Sequence, residues 1–237
     1  MVLSLISNEI ILKVSNLSVT FQNQAVLSNI NFTIKKGITL AIIGPNGAGK
    51  SILLRALLKI IPYSGKIEWG EKVKIGYVPQ NVSFRDIPIS VSEFLTMKGG
   101  VEPAEALRAV GLDDRILKKS LGVLSGGQLR RVLIAWAIKD RPTVLLFDEP
   151  TTGVDIDSEE AIYDMLRRLT RLDNITLILI SHDRHIVRDY SDYVLALDGC
   201  VQFFGESKEV MNPDLANKLY KEEHACPIEP LAGESHG

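Results

Sequence analysis

Residues 38–51 read ITLAIIGPNGAGKS, an apolar run that leads into a glycine-rich loop, a lysine and a serine. The run is apolar on both faces, which predicts a buried strand of a parallel sheet. A helical pattern follows over residues 51–58. Strand, loop and helix in this order are the context in which the pattern GxxxxGK[ST] binds phosphate. The stretch therefore predicts an α/β fold with a phosphate-binding loop.

The loop provides each group that a polyphosphate needs. Glycines let backbone N–H groups surround a phosphate, and the start of the following helix favours an anion. We expect Lys50 to reach the terminal phosphates and the Ser51 hydroxyl to bind Mg²⁺. The residues expected at the ligand are Gly44, Pro45, Asn46, Gly47, Ala48, Gly49, Lys50 and Ser51. The alternative is an accidental glycine-rich turn, which the flanking strand and helix disfavour.

Two later apolar runs have the same design. TVLLFDE at residues 143–149 and ITLILISH at residues 175–182 turn polar where they end. Ligands of open α/β sheets bind at the carboxyl ends of the strands, so we expect Asp148, Glu149 and His182 beside the loop. Two buried carboxylates are costly without a cation or a proton-transfer role. We assign Asp148 to Mg²⁺ and Glu149 to polarising the attacking water; simple solvation in a loop is the alternative.

Two further polar side chains also end apolar segments. We expect His182 to donate a hydrogen bond to the γ-phosphate or to the attacking water, although an isolated histidine is more often structural. At residues 74–80, KIGYVPQ reads as a buried strand that stops at Pro79 and Gln80. On local evidence alone, the amide of Gln80 only lets the chain leave the sheet.

The remaining pattern adds a front layer and a helical region. Residues 11–21 and 29–35 alternate in polarity and predict an antiparallel β layer before the loop. Between residues 80 and 124 the spacing becomes helical, with Pro103 near a helix start and Gly111 at a stop. These segments predict a helical insert in the α/β core.

A strong amphipathic helix is predicted directly after residues 125–127. Its apolar stripe consists of Leu129, Val132, Leu133, Trp136 and Ala137. Arg130 and Arg131 lie off this stripe, so we expect them to face solvent. Further on, a helix near residues 184–190 leads to a hairpin whose turn is Asp198-Gly199.

The composition limits the classes of function. With 237 residues, 46% of them hydrophobic and 24% charged, the chain can form one large domain or a core with a modest second lobe. A formal net charge of −2 gives no long-range attraction to nucleic acid, which we do not expect as a partner. Two cysteines without a CxxC pair indicate a reducing compartment, here the cytosol.

The N-terminal segment bears on the relation to a membrane. Its sequence, MVLSLISNEIILKV, lacks a basic region and has polar residues within its apolar run, so we expect no signal peptide. No apolar run approaches the roughly 20 residues that span a bilayer. We therefore expect any membrane process to involve a separate membrane subunit.

Residues 124–128 read LSGGQ, at the start of the amphipathic helix. Ser125 is a natural N-cap and the glycines expose backbone N–H groups, so the segment can hold an anion; an ordinary capped helix is the alternative. GPNGAGKS, LSGGQ and VLLFDEP, in this order, strongly resemble the motifs of the nucleotide-binding subunit of ATP-binding cassette (ABC) transporters. The resemblance extends from about Ile11 to Tyr220.

This resemblance implies a fold and a reaction. The fold is a P-loop NTPase of ABC type, with a mostly parallel core sheet, an N-terminal antiparallel β layer and a helical insert subdomain. Residues 1–220 would form a single ABC ATPase domain with the helical subdomain at about 81–141, and residues 221–237 would form a flexible tail. ATP and Mg²⁺ are the implied ligands, and hydrolysis of ATP is the implied reaction.

The resemblance also implies a head-to-tail dimer with two ATP molecules sandwiched between the copies. The segment that would contact the ATP of the partner consists of Ser125, Gly126, Gly127 and Gln128. Asp155 would lie near the dimer seam, and Phe21 matches an aromatic that stacks on adenine; a core aromatic is the alternative for Phe21. Gln80 matches a residue that reaches Mg²⁺ and the attacking water, and the loop after it leads to the lobe that receives a membrane permease.

The substrate is indicated by IGYVPQ followed by IPISVSEFL at residues 87–95, which resembles the ATPases of zinc and manganese importers. We therefore expect an ATPase that powers import of a divalent metal ion, zinc in first place, at the cytoplasmic face of the inner membrane. The implied partners are a second copy of the chain, a polytopic permease and, indirectly, a metal-binding extracytoplasmic protein.

Several alternatives to zinc import remain at this level. They are manganese or iron import, a soluble ABC ATPase of an assembly or repair complex, and a scaffold that binds ATP without turnover. Glu149 and His182 disfavour the scaffold, because a binding module needs no activated water. His224, Cys226 and His236 in the tail could bind a metal, but their spacing matches no zinc motif.

Overall fold

The computed structural model describes residues 9–80, 82–84, 87–149, 156–181 and 183–211. Its strands are β1 (Ile10–Phe21), β2 (Gln24–Lys35), β3 (Thr39–Ile43), β4 (Ser64–Trp69), β5 (Ile75–Val78), β6 (Val144–Phe147), β7 (Thr176–Ile180), β8 (Tyr193–Asp198) and β9 (Cys200–Glu206). Its helices are α1 (Lys50–Leu57), α2 (Val91–Thr96), α3 (Pro103–Ala109), α4 (Gly126–Ile138), α5 (Ile156–Asp173) and α6 (Arg184–Tyr190). Asp155, His182 and the predicted tail with His224, Cys226 and His236 lie outside the described residues.

The core sheet has six strands in the order β5-β6-β7-β3-β8-β9. Neighbouring strands are parallel except β8 and β9, which form an antiparallel hairpin at one edge. Along β3, Ala41 and Ile43 belong to one hydrophobic cluster, while Leu40 and Ile42 belong to another. The sheet is therefore covered on both faces, which is why its strands are apolar throughout. Within the described ranges, no helix combines the length and the apolar character needed to cross a membrane.

The front layer is an antiparallel sheet in the order β2-β1-β4, in agreement with the predicted β layer. β2 begins at Gln24, earlier than the pattern indicated, because Gln22 and Asn23 adopt positive φ angles of 47° and 62° and turn the chain directly after β1. The sequence pattern does not indicate β4. Only Ile67 among its residues is buried, so this edge strand lacks the alternation that marks β1.

The region predicted as a helical insert contains α2, α3 and α4. α3 begins at Pro103, and the chain turns after it at Gly111, where φ is 70°, as the pattern predicted. The ring of Trp136 on α4 stacks on Phe94 of α2 with 5.8 Å between ring centroids. Lys98 Nζ lies 4.7 Å from the centroid of the Trp136 ring. These contacts join α2 to α4.

α4 is buried on more than one side, which corrects one expectation. Arg130 does not face solvent: it is only 4% exposed, whereas Arg131 is half-buried. Arg130 shares a helix face with Ile134 and Ala137, at i+4 and i+7, and both are fully buried. A Cβ on Gly76 of β5 would lie 2.6 Å from the Ala137 carbonyl oxygen, so helix and strand are in very close contact. Arg130 and Ile134 therefore extend the buried surface of α4 beyond the predicted apolar stripe, with which they share Ala137, and this surface packs on β5.

The predicted hairpin of β8 and β9 supports the phosphate-binding loop from outside. Its turn is at Gly199, where φ is 68°. The Gly199 N–H donates to the Ala48 carbonyl at 3.1 Å, and the Gly199 carbonyl accepts from the Ser28 N–H of β2 at 2.8 Å. A Cβ on Gly44 would lie 2.0 Å from the Leu197 carbonyl oxygen. Only glycine therefore fits where the loop passes the hairpin.

Candidate nucleotide site

Several predicted site residues lie along one edge of the core sheet. β5, β6, β7 and β3 are adjacent and parallel in that order, so their carboxyl ends point the same way. This edge carries the phosphate-binding loop after β3, Gln80 after β5, and Asp148 with Glu149 after β6. For the loop, Asp148 and Glu149 this is the position that the strand-end rule predicted, whereas Gln80 was expected here only from the resemblance to ABC transporters. Ser181 follows β7 at the same edge and is buried.

The loop opens onto the start of α1. The N-cap of α1 is Gly49, with a φ of 91°, and a Cβ at this position would lie 2.5 Å from a methyl group of Leu27. Glycine offers no side chain to cap the helix, and the first turn, KSIL, has no acidic residue. The N–H groups at the start of α1 are therefore available to an anion.

Lys50 is held in place by the loop itself. Its side chain is only 7% exposed, and Nζ donates to the carbonyls of Gly44 at 2.9 Å and Pro45 at 2.7 Å. Burial lowers the pKa of the Lys50 ammonium, and the carboxylates of Glu149 and Asp148 oppose that shift. A desolvated ammonium beside the start of a helix without a side-chain cap gives an anion both charge and hydrogen-bond donors.

Ser51 and Asp148 form a pair suited to a small cation. The Ser51 hydroxyl donates to Asp148 Oδ1 at 3.0 Å, and Asp148 is only 3% exposed. Burial raises the pKa of the Asp148 carboxyl; the hydrogen bond from Ser51 lowers it, and the charge of Glu149 raises it further. A bound cation would relieve this cost. A hydroxyl and a carboxylate are oxygen ligands of the kind that Mg²⁺ prefers, so these residues fit that ion.

Gln80 and Glu149 are hydrogen-bonded to each other. The amide Nε2 of Gln80 donates to Oε2 of Glu149. The Glu149 backbone has a φ of 51°, in the left-handed region that costs a residue with a Cβ about 1 kcal/mol or more. The residue that we assign to water activation therefore has a strained backbone, and neighbouring groups must stabilise this conformation.

Arg130 supplies that support, a role that the sequence pattern did not indicate. Its Nη1 donates to the Pro79 carbonyl at 2.7 Å, and its Nη2 donates to the carbonyls of Gln80 at 3.1 Å and Glu149 at 2.7 Å. Burial lowers the pKa of the guanidinium, which the nearby Asp148 carboxylate partly offsets. The available signal was the apolar pair Ile134 and Ala137, which indicates that the face of Arg130 is buried.

The LSGGQ segment begins α4 as predicted. The Ser125 hydroxyl accepts from the Gln128 N–H at 3.2 Å, and Gln128 Oε1 accepts from the Ser125 N–H at 3.3 Å, a reciprocal capping box. Ser125 and Gly126 are exposed, and Gly127 is buried. The segment therefore presents the beginning of a well-capped helix at the molecular surface.

Phe21 lies at the end of β1 and is 48% exposed. An aromatic ring with half its surface in solvent is not a core residue, so the packing alternative is wrong. A partly exposed aromatic side chain can stack on another planar group.

Comparisons with known proteins agree with this geometry. Residues 27–152 match the family described as ABC transporter. The Zinc import ATP-binding protein ZnuC of Histophilus somni (strain 129Pt) is 34% identical over 225 residues, which cover 92% of this chain and 84% of that protein. The protein of the same name from Haemophilus ducreyi (strain 35000HP) is 39% identical over 210 residues, or 87% of this chain and 80% of that protein.

Solved structures show the same architecture. The structure of cbiO1 from Clostridium perfringens, part of the ABC transporter complex cbiONQ, has a TM-score of 0.75 and 30% identity, over 89% of this chain and 94% of that one. The dimeric structure of MJ0796, a bacterial ABC transporter cassette, has a TM-score of 0.72 and 26% identity, over 83% of this chain and 98% of that one. The predicted fold class, with its core sheet, antiparallel layer and helical insert, is therefore confirmed.

Proposed function

This chain belongs to the ABC transporter family as an ABC-type ATPase, and from that premise we propose that it powers import of zinc. The observation that carries the proposal is its identity of 34% and 39% with zinc import ATP-binding proteins over most of both chains. We further propose that residues 1–220 form one ABC ATPase domain, with the helical subdomain at about 81–141 and a flexible tail at 221–237. Metal specificity would reside mainly in the partners of this chain.

ATP binding is assigned to the loop of residues 44–51 and the start of α1. The uncapped N–H groups of α1 and the Lys50 ammonium would bind the β- and γ-phosphates. Lys50 need only exchange the carbonyls of Gly44 and Pro45 for phosphate oxygens, because it already lies over the loop. The exposed ring of Phe21 would stack on the adenine.

Water activation is assigned to the residues that follow β5, β6 and β7. Ser51, Asp148 and Gln80 would hold Mg²⁺, which supplies charge neutralisation of the phosphates when bound. Glu149 would accept a hydrogen bond from the attacking water and take up its proton as the water oxygen bonds to the γ-phosphorus. The bond between the γ-phosphorus and the bridging oxygen breaks in the same reaction, so that ADP and phosphate leave. Gln80 holds the Glu149 carboxylate by a hydrogen bond and so orients it. His182 would donate a hydrogen bond to the γ-phosphate or to the water.

The complete site would require a second copy of the chain. Ser125, Gly126, Gly127 and Gln128 of one copy would close over the ATP bound by the loop of the other, and Asp155 would lie near the seam. Support comes from the exposed, capped start of α4 and from the dimeric relative. Backbone N–H groups at a helix start suit the γ-phosphate.

Coupling to transport is assigned to the helical insert and a membrane permease. The loop after Gln80 leads from the site to α2, so a change at the γ-phosphate can reach the insert. The protein would act at the cytoplasmic face of the inner membrane, bound to a polytopic permease, and indirectly with a metal-binding extracytoplasmic protein. ATP closure would move Gln80 and the insert together.

Purification of the native complex from membranes tests the permease partner. We expect a tagged copy of this chain, extracted in mild detergent, to co-purify with a polytopic subunit. A matched preparation of the soluble fraction serves as the control. Recovery of the chain only with soluble partners would contradict the transport proposal and favour a soluble ABC ATPase of an assembly complex.

A further inference from the structure

We infer that Arg130 is a positioning residue that makes the LSGGQ segment and the Glu149–Gln80 pair of one chain move as a single unit. The inference rests on the proposed function, because the roles of Glu149 and LSGGQ are part of it. Three observations carry it: the place of the guanidinium between two strand ends, its burial, and its position on α4.

The Arg130 guanidinium forms its hydrogen bonds just beyond the point where the pairing of β5 and β6 ends. Val78 and Phe147 are the last paired residues of the two strands, and the Asp148 N–H still donates to the Val78 carbonyl at 3.0 Å. Beyond this point, the carbonyls of Gln80 and Glu149 both accept from Nη2 of Arg130. Arg130 therefore bridges the two chain segments that carry the proposed water-activating residues.

The geometry of this bridge requires arginine. A guanidinium is a planar fork with five donors, and here both terminal nitrogens are engaged, one with Pro79 and the other with Gln80 and Glu149. Lysine keeps the charge but has a single terminal nitrogen, so it cannot reproduce the fork. A side chain without donors would leave three carbonyls at a buried point without their present partner, which is costly.

The same bridge extends to LSGGQ through α4. Ser125 caps the helix, and the Leu129 N–H donates to the Ser125 carbonyl at 2.8 Å, so Arg130 lies just after the first turn. A helix of this kind transmits displacement as a rigid element. When Glu149 and Gln80 shift, the carbonyls held by Arg130 shift with them, and the start of α4 follows.

The consequence concerns communication between the two ATP sites of a dimer. In the proposed dimer, Glu149 and Gln80 act on the ATP of their own chain, whereas LSGGQ acts on the ATP of the other copy. The bridge that Arg130 forms within one chain therefore connects the two ATP sites of the dimer. Arg130 would set both the rate of hydrolysis and the strength of ATP-dependent dimerisation, without contacting nucleotide in its own chain.

The test uses Arg130→Lys, which keeps the charge, and Arg130→Met, which keeps the length without donors. Arg108→Gln is the control. Arg108 is exposed on α3, so this substitution removes only a surface charge. Three quantities are measured on the full chain: kcat and KM for ATP hydrolysis, ATP affinity of the monomer, and the dimer dissociation constant at saturating ATP in a Glu149→Gln background. Urea unfolding identifies any variant that does not fold.

For Arg130→Lys we expect kcat to fall at least about tenfold and the dimer dissociation constant to rise about tenfold. The ATP affinity of the monomer should stay within about threefold of wild type, because a positioning defect acts after ATP has bound. Arg130→Met should show larger losses, and Arg108→Gln none. If Arg130→Met fails to fold, Arg130→Lys decides. A kcat within twofold of wild type, or an unchanged dimer dissociation constant despite a lower kcat, overturns the inference. Failure of the wild type to hydrolyse ATP, or of Glu149→Gln alone to dimerise with ATP, would instead refute the proposed function.

Discussion

Glu149→Gln is expected to lower kcat for ATP hydrolysis at least about 100-fold, because a positioned base contributes roughly 10²–10⁴-fold to such a rate. The amide cannot take up the proton of the attacking water. Its oxygen can still accept the hydrogen bond from Gln80, so the local arrangement is kept. ATP affinity should stay within about threefold, since Lys50 and the loop are untouched. Phosphate release and equilibrium ATP binding measure the two quantities.

The control for this substitution is Glu71→Gln. Glu71 is an exposed residue of the turn between β4 and β5, so it undergoes the same chemical change away from the site. Its kcat should match wild type. Turnover of Glu149→Gln within about tenfold of wild type would mean that another group activates the water, and the assignment of Glu149 would then fail.

ATP is expected to bring the loop of one copy against LSGGQ of another. In a Glu149→Gln background without Cys200 and Cys226, one protein carries Asn46→Cys and a second carries Ser125→Cys. Both positions are exposed, so a short bis-maleimide can reach them. Mixed with ATP, the two proteins should give covalent dimer at least about tenfold above the yield without ATP, because a nucleotide that binds the closed dimer more tightly than the separate copies drives dimer formation. The yield is read from a denaturing gel.

Mixing two single-cysteine proteins makes every heterodimer crosslink intermolecular. Each protein alone with ATP is the matched control and should give only background dimer. Lys50→Ala introduced into the Asn46→Cys protein should remove the ATP effect, since the loop then lacks its ammonium. An equal yield with and without ATP in the mixture would contradict the head-to-tail site.

The parts of the site that were predicted from sequence are those in which chemistry and local structure coincide. Gly44 and Gly49 occupy two loop positions at which a Cβ would clash with neighbouring atoms, so only glycine fits there. Ser125 caps the helix that follows it. Asp148 and Glu149 end an apolar strand, where the strand-end rule places ligands. These features depend on a few neighbouring residues, so a short stretch of sequence is sufficient to predict them.

The parts that were missed depend on distant segments meeting. Arg130 lies off the strong apolar stripe of α4, and it is buried because the adjacent helix surface packs on β5, a contact between distant segments that the apolar residues near Arg130 do not identify by themselves. The bond between Gln80 and Glu149 requires that β5 and β6 be neighbours, which neither segment encodes alone. β4 is an edge strand with one buried residue, Ile67, so its pattern carries too little periodicity.

The metal content of cells that lack this protein shows whether the chain powers zinc import. Zinc, manganese and iron are measured side by side after growth in zinc-poor medium, with cells restored by the wild-type chain or by Glu149→Gln. We expect that zinc alone falls, that the wild-type chain restores it, and that Glu149→Gln does not. Unchanged zinc, or a fall in manganese or iron instead, would contradict zinc import as the function.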